Sequence, residues 1–300
     1  SMPKKILIIL TAFTFPTITW GQPGIDKIID SIVSSKMTEY RIKVLSLSIV
    51  KDEKNIYSKG YGFTSIDNEH IVTPETRFAT ASITKLFTAT AIMQLVEQGK
   101  LDLSKKLIEY IPDFKLKDNR FKNITLLHLL THSSGLPWDN GPIKASNDSN
   151  VLKEFVFSLY HTKLKFSPGE KFNGETYSNT GYDILGYLIE QMMSMPFQEY
   201  VKHNILDKAE MLNSTFYLNN IPENKLAAPL KISGETKEIN RFNLFGEIKD
   251  KNPVLKYPGF PIVEWTNYQR GKPEHNPSGY LYSTAGDLSN WIIYCLKIYH

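Results

Sequence analysis

A single cysteine, Cys295, is all that 300 residues contain. One thiol cannot close an internal disulfide, and no cysteine-based zinc cluster can be built around it. An excess of charge is missing too: 35 Lys and Arg stand against 31 Asp and Glu, a net of +4 spread along the chain. That balance lacks the basic footprint of a nucleic-acid binder, so nucleic acid is excluded as a partner. Glycine and proline, 17 and 16 residues, are too few for a collagen-like or low-complexity chain. What is present is 41% hydrophobic residues, with 16 Phe and 16 Tyr, enough to bury the core of one large domain or two intimate ones.

Lys4 and Lys5 precede an apolar run, Ile6 to Leu10, that continues more weakly through Phe13 and Phe15. Pro16 and small residues around Gly21 follow. This is the order of a secretory signal peptide, expected over residues 1–21, which implies a secreted or periplasmic protein. The competing reading, a membrane anchor over residues 6–20 of an interaction protein, fits less well. A span needs about 20 apolar residues, and this stretch holds four threonines and a proline. No stable membrane span is expected.

Apolar residues at 25, 28, 29, 32 and 33 predict a helix over 25–36. Two β-branched stretches, 42–50 and 56–63, flank a polar turn and predict an antiparallel hairpin. Past Thr73-Pro74-Glu75 the pattern turns helical, over 82–98 with Gly99 as its C-cap, then 125–132, 151–160 and 179–193. Residues 213–278 show no clear period and are expected to form long loops. Thr284-Ala-Gly-Asp287 reads as a capping-box variant opening a last helix through Lys297. The expected organisation is a signal peptide at 1–21, part of a sheet domain at 22–75, and a mostly helical domain at 76–300.

Chemistry concentrates in two places. Ser82 and Lys85 are three apart, so on a helix they share a face and the amine reaches the hydroxyl. A serine in the first turn meets the positive end of the helix dipole, and a partly buried lysine can act as its base. Tyr177-Ser178-Asn179 opens another helix. Tyr177 there can serve as general acid or base, and the Asn179 amide can orient the lysine and a substrate carbonyl. A core aromatic and a simple N-cap explain these two residues equally well when each is taken alone. Two other arrangements are weaker. His128 and His132 have zinc-pair spacing on the expected 125–132 helix, without the glutamate of His-Glu-x-x-His. A triad through His275 or His161 lacks a Gly-x-Ser-x-Gly elbow.

Several stretches carry a family resemblance in consecutive order. They are Thr73-Pro-Glu-Thr-Arg-Phe-Ala-Thr-Ala-Ser82-Ile-Thr-Lys85, Gly99-Lys-Leu-Asp-Leu with Ile111-Pro112, and Leu129-Leu-Thr-His132-Ser-Ser-Gly135-Leu-Pro137. Pro168-Gly169, then Tyr177-Ser-Asn179-Thr-Gly-Tyr182 with Leu185-Gly186, and Ser278-Gly-Tyr-Leu-Tyr-Ser-Thr-Ala-Gly-Asp287-Leu complete them. Over roughly residues 25–298 the chain resembles the serine β-lactamase and penicillin-binding-protein superfamily, whose motifs include Ser-x-x-Lys. Within it, the chain is most similar to the branch of class C β-lactamases, D-alanyl-D-alanine carboxypeptidases and related esterases.

The resemblance implies an α/β (α+β) fold, an antiparallel sheet flanked by helices plus a mostly helical domain. It implies acyl-enzyme chemistry with Ser82 as nucleophile, Lys85 and Tyr177 as the proton-handling pair, and Asn179 aligning lysine and substrate. Substrates would be D-Ala-D-Ala-type peptides, β-lactams or small esters, with no cofactor and no metal. One departure stands out. The family's Lys-Thr-Gly or His-Thr-Gly strand has no counterpart, since no Lys or His, any residue, Gly triplet follows Asn179. The sheet is therefore expected to be incomplete and the C-terminal strands missing, which leaves a truncated or catalytically impaired member that binds peptide without turnover as the alternative.

Overall fold

The computed structural model describes residues 24–40, 42–64, 70–138, 150–170, 176–227, 230–233, 262–265 and 275–299. The expected signal peptide at 1–21 lies outside them. Among the described residues no helix is long and apolar enough to cross a membrane. The chain divides into two units, residues 1–43 and 44–300. In the first, α1 (Ile25–Glu39) follows the predicted spacing, and Lys36 pairs with Glu39 near its end.

In the second unit, β1 (Val44–Lys51) and β2 (Lys54–Gly62) form the predicted hairpin, from Val44↔Gly62 to Lys51↔Lys54. Its turn is tighter than expected. Asp52 and Glu53 both adopt positive φ, 49° and 56°, the geometry that matches strand twist even without Gly or Asn. β3 (Phe78–Ala79) pairs antiparallel with β6 (Tyr282–Ser283). The expectation of loops throughout 213–278 needs correction. β4 (Leu230–Ser233) pairs antiparallel with β5 (Ile262–Trp265), two four-residue strands too short to show a period.

The helices are α2 (Thr84–Glu97), α3 (Leu107–Tyr110), α4 (Leu126–Leu130), α5 (Val151–Ser158), α6 (Asn179–Met193), α7 (Phe197–Val201), α8 (Asn276–Gly279) and α9 (Ala285–Tyr299). Gly99, at φ +69°, follows α2 as the sequence predicts. The capping box at α9 is half made. The Asp287 amide donates to Thr284 Oγ1, but the Asp287 carboxylate accepts instead from the Asn213 amide at 2.8 Å and Ser214 Oγ at 2.7 Å.

α6 is the centre of the helical body, with residues 180–189 all buried and α2, α4, α5, α7 and α8 around it. Phe87, Leu95, Leu129, Leu185 and Leu188 meet there without exposure to solvent. Removing one of these large side chains costs about 3–5 kcal/mol. α9 covers the hairpin on one side, and its Trp291 ring lies 5.1 Å from Phe87 of α2. Sheet and helical body are thereby joined.

One close approach sets the position of α8. A Cβ on Gly186 of α6 would lie 2.0 Å from Pro277 Cγ, so only glycine admits Pro277 to that distance. From the other side Thr88 Oγ1 of α2 donates to the Pro277 carbonyl at 2.7 Å. α8 is held between α2 and α6.

Candidate active site

The β3–β6 pair brings the chain before α2 against the segment after α8. The Thr80 amide and hydroxyl both donate to the Leu281 carbonyl, at 2.9 and 2.8 Å, and the Leu281 amide donates to Thr84 Oγ1 at 3.1 Å. Between these ties Ala81 takes φ +46°, a left-handed conformation that alanine adopts at a cost. Ser82 consequently lies in a 3₁₀ turn, Ala81–Ile83, rather than in the first α-helical turn expected from the sequence. The turn runs directly into α2, so Ser82 remains at its positive end and exposed.

The four residues singled out from the sequence converge. Ser82 Oγ and the Tyr177 hydroxyl share a 2.5 Å hydrogen bond. Lys85 Nζ lies 3.3 Å from Ser82 Oγ, and donates to Asn179 Oδ1 at 2.6 Å and to the Ser278 carbonyl at 2.6 Å. Lys85 is only 6% exposed, so each donor needs its acceptor. The amine also stands over two rings, 4.8 Å from the centre of Tyr177 and 5.4 Å from that of Tyr182. The arrangement can pass the Ser82 proton to Tyr177 or Lys85 without moving a heavy atom far.

Asn179 is not the N-cap of α6. Ser178 caps it, its hydroxyl accepting from the Gly181 amide at 3.1 Å and donating to the Pro137 carbonyl at 2.7 Å. The Asn179 and Thr180 amides both donate to the Trp138 carbonyl, at 2.8 and 3.3 Å. With helix and loop satisfying its backbone, Asn179 is left to spend its side-chain oxygen on Lys85.

His128 and His132 do not form a pair. α4 stops at Leu130, and His132 lies beyond it at φ +57°. His128 Nδ1 accepts from the Thr125 amide at 3.2 Å, closing the capping box of α4. His132 Nδ1 accepts from the Ser178 amide at 3.1 Å, which places its proton on Nε2. Its ring lies 4.4 Å from that of Tyr177 and 5.1 Å from that of Tyr182. Burial and the neighbouring Lys85 amine lower its pKa to about 4. Burial, with Tyr177 beside it, pushes Tyr182 up to about 12, and its hydroxyl donates to the Leu130 carbonyl. Among the described residues no group of three His, Cys, Asp or Glu is placed to hold a metal ion.

Sequence reasoning missed the Ser278 and Trp138 carbonyls, because a backbone acceptor has no residue signature. It also missed the ring wall of His132 and Trp138, the latter 53% exposed with its ring 5.0 Å from Tyr177. His161 lies beyond α5, its ring packed on Tyr160. His275 Nδ1 sits 2.7 Å from Asp183 Oδ2.

A mixed α/β body with Ser82, Lys85, Tyr177 and Asn179 in one cluster defines a member of the serine β-lactamase and penicillin-binding-protein superfamily. More narrowly, the profile of the Beta-lactamase family matches residues 29–297, and the chain belongs to that family. It is 29% identical over 271 residues to Protein flp of Staphylococcus aureus strain MRSA252, covering 90% of this chain and 48% of that protein. A Beta-lactamase of Pseudomonas fluorescens is 29% identical over 203 residues, covering 68% of this chain and 53% of that one. The chain thus spans about half the length of these curated relatives. Among solved structures, the octameric penicillin-binding protein homologue from Pyrococcus abyssi superimposes with a TM-score of 0.68 at 27% identity. That match covers 92% of this chain and 57% of the other. A class C β-lactamase shares the fold, with a TM-score of 0.66 at 18% identity over 89% of this chain and 63% of its own.

Proposed function

We propose that this chain carries the acyl-transfer site of an exported serine hydrolase. The observation that carries the reading is the 2.5 Å contact of Ser82 Oγ with Tyr177 beside a Lys85 amine that is 3.3 Å away and anchored on two other acceptors. Ser82 Oγ attacks a carbonyl carbon, and its proton passes to the Lys85/Tyr177 pair, whose titration belongs to the pair. The Ser82 amide stabilises the developing oxyanion, and Asn179 holds Lys85 and the substrate amide in line. The proton then goes to the leaving nitrogen or oxygen, the bond to carbon breaks, and an acyl-enzyme remains for water to hydrolyse. No group in these steps calls for a cofactor. D-Ala-D-Ala-type cell-wall peptides, β-lactams and small esters are the substrate classes proposed. The similarity to a β-lactamase and to a penicillin-binding protein homologue supports the first two.

Intact-mass spectrometry after incubation with a fluorophosphonate, and separately with a penicillin, tests the proposal. One adduct is expected on the wild type and none on Ser82→Ala. A penicillin adduct favours the peptidase or β-lactamase substrates, a fluorophosphonate adduct alone the ester ones. Folded wild-type protein with no adduct would overturn hydrolysis and leave a peptide-binding member. Export is tested by sequencing the mature N-terminus, which should begin near residue 22.

A further inference from the structure

A buried acid stands one layer behind the Lys85 amine, and acyl transfer makes no use of it. Asp183 is 0% exposed on α6, one helical turn after Asn179. Its Oδ2 meets His275 Nδ1 at 2.7 Å, while Oδ1 has no well-formed hydrogen bond among the described residues. A fully buried carboxylate with one satisfied oxygen is expensive, and apolar packing would serve stability better. Its surroundings supply a reason. His275 is the N-cap residue of α8, and Ser278, whose carbonyl accepts from Lys85 at 2.6 Å, lies one turn further on. The Ser278 hydroxyl donates to the His275 carbonyl at 3.2 Å and also faces the Asp183 carboxylate.

We propose that Asp183 and His275 are positioning residues that hold the Ser278 carbonyl against the Lys85 amine and set the charge the amine faces. The proposal rests on the acyl-transfer reading of Ser82 and Lys85. A hydrogen bond from α6 fixes the N-cap residue of the short helix that carries that carbonyl. The Phe155 ring of α5 closes the far side, its centre 5.1 Å from that of His275. Among the described residues few charged and titratable groups face the pair and the amine. Asp183 feels His275 of α8 and Lys85 of α2, and the amine stands beside Tyr177, Tyr182 and His132. Among the described residues Asp183 is the one carboxylate in that set. Burial pushes its carboxyl up, while His275, Ser278 and Lys85 pull it back towards the ionised form.

The rate of Ser82 labelling by a fluorophosphonate, followed from acid to alkaline pH, tests the pair. Asp183→Asn keeps the shape and removes the charge, and His275→Gln keeps the charge and removes the ring. Both should label to the wild-type extent but about tenfold to a hundredfold more slowly, the loss typical of a group displaced by about 1 Å. Asp183→Asn should also move the pH profile. A folded variant with wild-type rate and profile overturns the proposal. Loss of folding in both variants overturns it as well, because the pair then serves the core. Selective 15N-lysine labelling, with Lys85→Arg to assign the amine, reads the claim without turnover. The Lys85 titration should move in Asp183→Asn, and an unmoved titration overturns the proposal. A wild type that is never labelled counts against acyl transfer, while the lysine titration still decides the role of the pair.

Discussion

Gly186→Ala is a one-carbon change on the far side of α6 from the solvent, and the structure gives it two separable effects. The new Cβ would sit 2.0 Å from Pro277 Cγ and 2.6 Å from Pro277 Cβ. An ordinary carbon contact is about 3.5 Å, so roughly 1.5 Å must be found. Ring pucker supplies a few tenths, which leaves α8 to withdraw by about 1 Å. Overpacking of this size costs about 1–3 kcal/mol, and the better helix propensity of alanine returns about 1 kcal/mol. A net loss of about 0–2 kcal/mol lowers the melting temperature by at most about 8 °C. The site should suffer more. The Ser278 carbonyl moves with α8, and its 2.6 Å contact with Lys85 would stretch beyond hydrogen-bond range. Acylation by a fluorophosphonate should slow about a hundredfold. Gly181→Ala on the same helix is the control, since its Cβ meets the Leu129 carbonyl at 3.6 Å, Leu129 Cδ2 at 3.7 Å and Ser178 Oγ at 3.8 Å, all ordinary contacts. Calorimetry and labelling rates on both variants decide. A Gly186→Ala protein that labels at the wild-type rate, or no more slowly than Gly181→Ala, refutes the reasoning that α8 sets the amine.

Two further predictions concern pH and stability. Burial raises Glu190 to about 7, although it accepts from the Phe197 amide at 3.0 Å. The folded chain therefore holds a proton that the unfolded chain gives up, and stability falls as pH rises from about 4.5 to about 7. Glu190→Gln keeps an acceptor for Phe197 and should remove that fall, a gain of about 1–2 kcal/mol near pH 7.5 after allowance for its partial exposure, read by urea denaturation. His132 works in the other direction. Its folded pKa of about 4 lies below the usual 6.5, so the unfolded chain binds the extra proton. Stability is complete above about 6.5 and drops as pH falls towards about 4. The two slopes oppose each other. Relative to the wild type, Glu190→Gln should gain stability as pH rises through this window, and His132→Asn should lose it. Parallel profiles in all three proteins would contradict both assignments.

Local pattern carried much of this structure into the sequence. The helical spacing of 179–193 reads to the residue as α6, and the change to β-branched alternation after Arg41 marks the hairpin. Ser82 and Lys85 share one turn and Tyr177 and Asn179 stand where a helix opens, but only the ordered family motifs around them made the four legible as one set. What was hidden is long-range or main-chain. Lys85 and the Ser278 carbonyl lie 193 residues apart, and Asp183 and His275 lie 92 apart. The histidine pair misled for a local reason. Leu127-His128-Leu129-Leu130 continues the helical spacing, but the chain turns left-handed at His132, which no period records. β4 and β5 escaped because four residues hold only two alternations.

The Trp138 carbonyl, gripped by the Asn179 and Thr180 amides, has a consequence for how this scaffold can diversify. The anchor is main chain, so any amino acid at position 138 provides it equally well. The wall beside Tyr177 can therefore be rewritten, from indole to small or polar, with the Lys85 acceptor staying where it is. A lineage exploring new substrates would keep Asn179 and vary position 138. Laboratory evolution on this chain should find its tolerated changes there first.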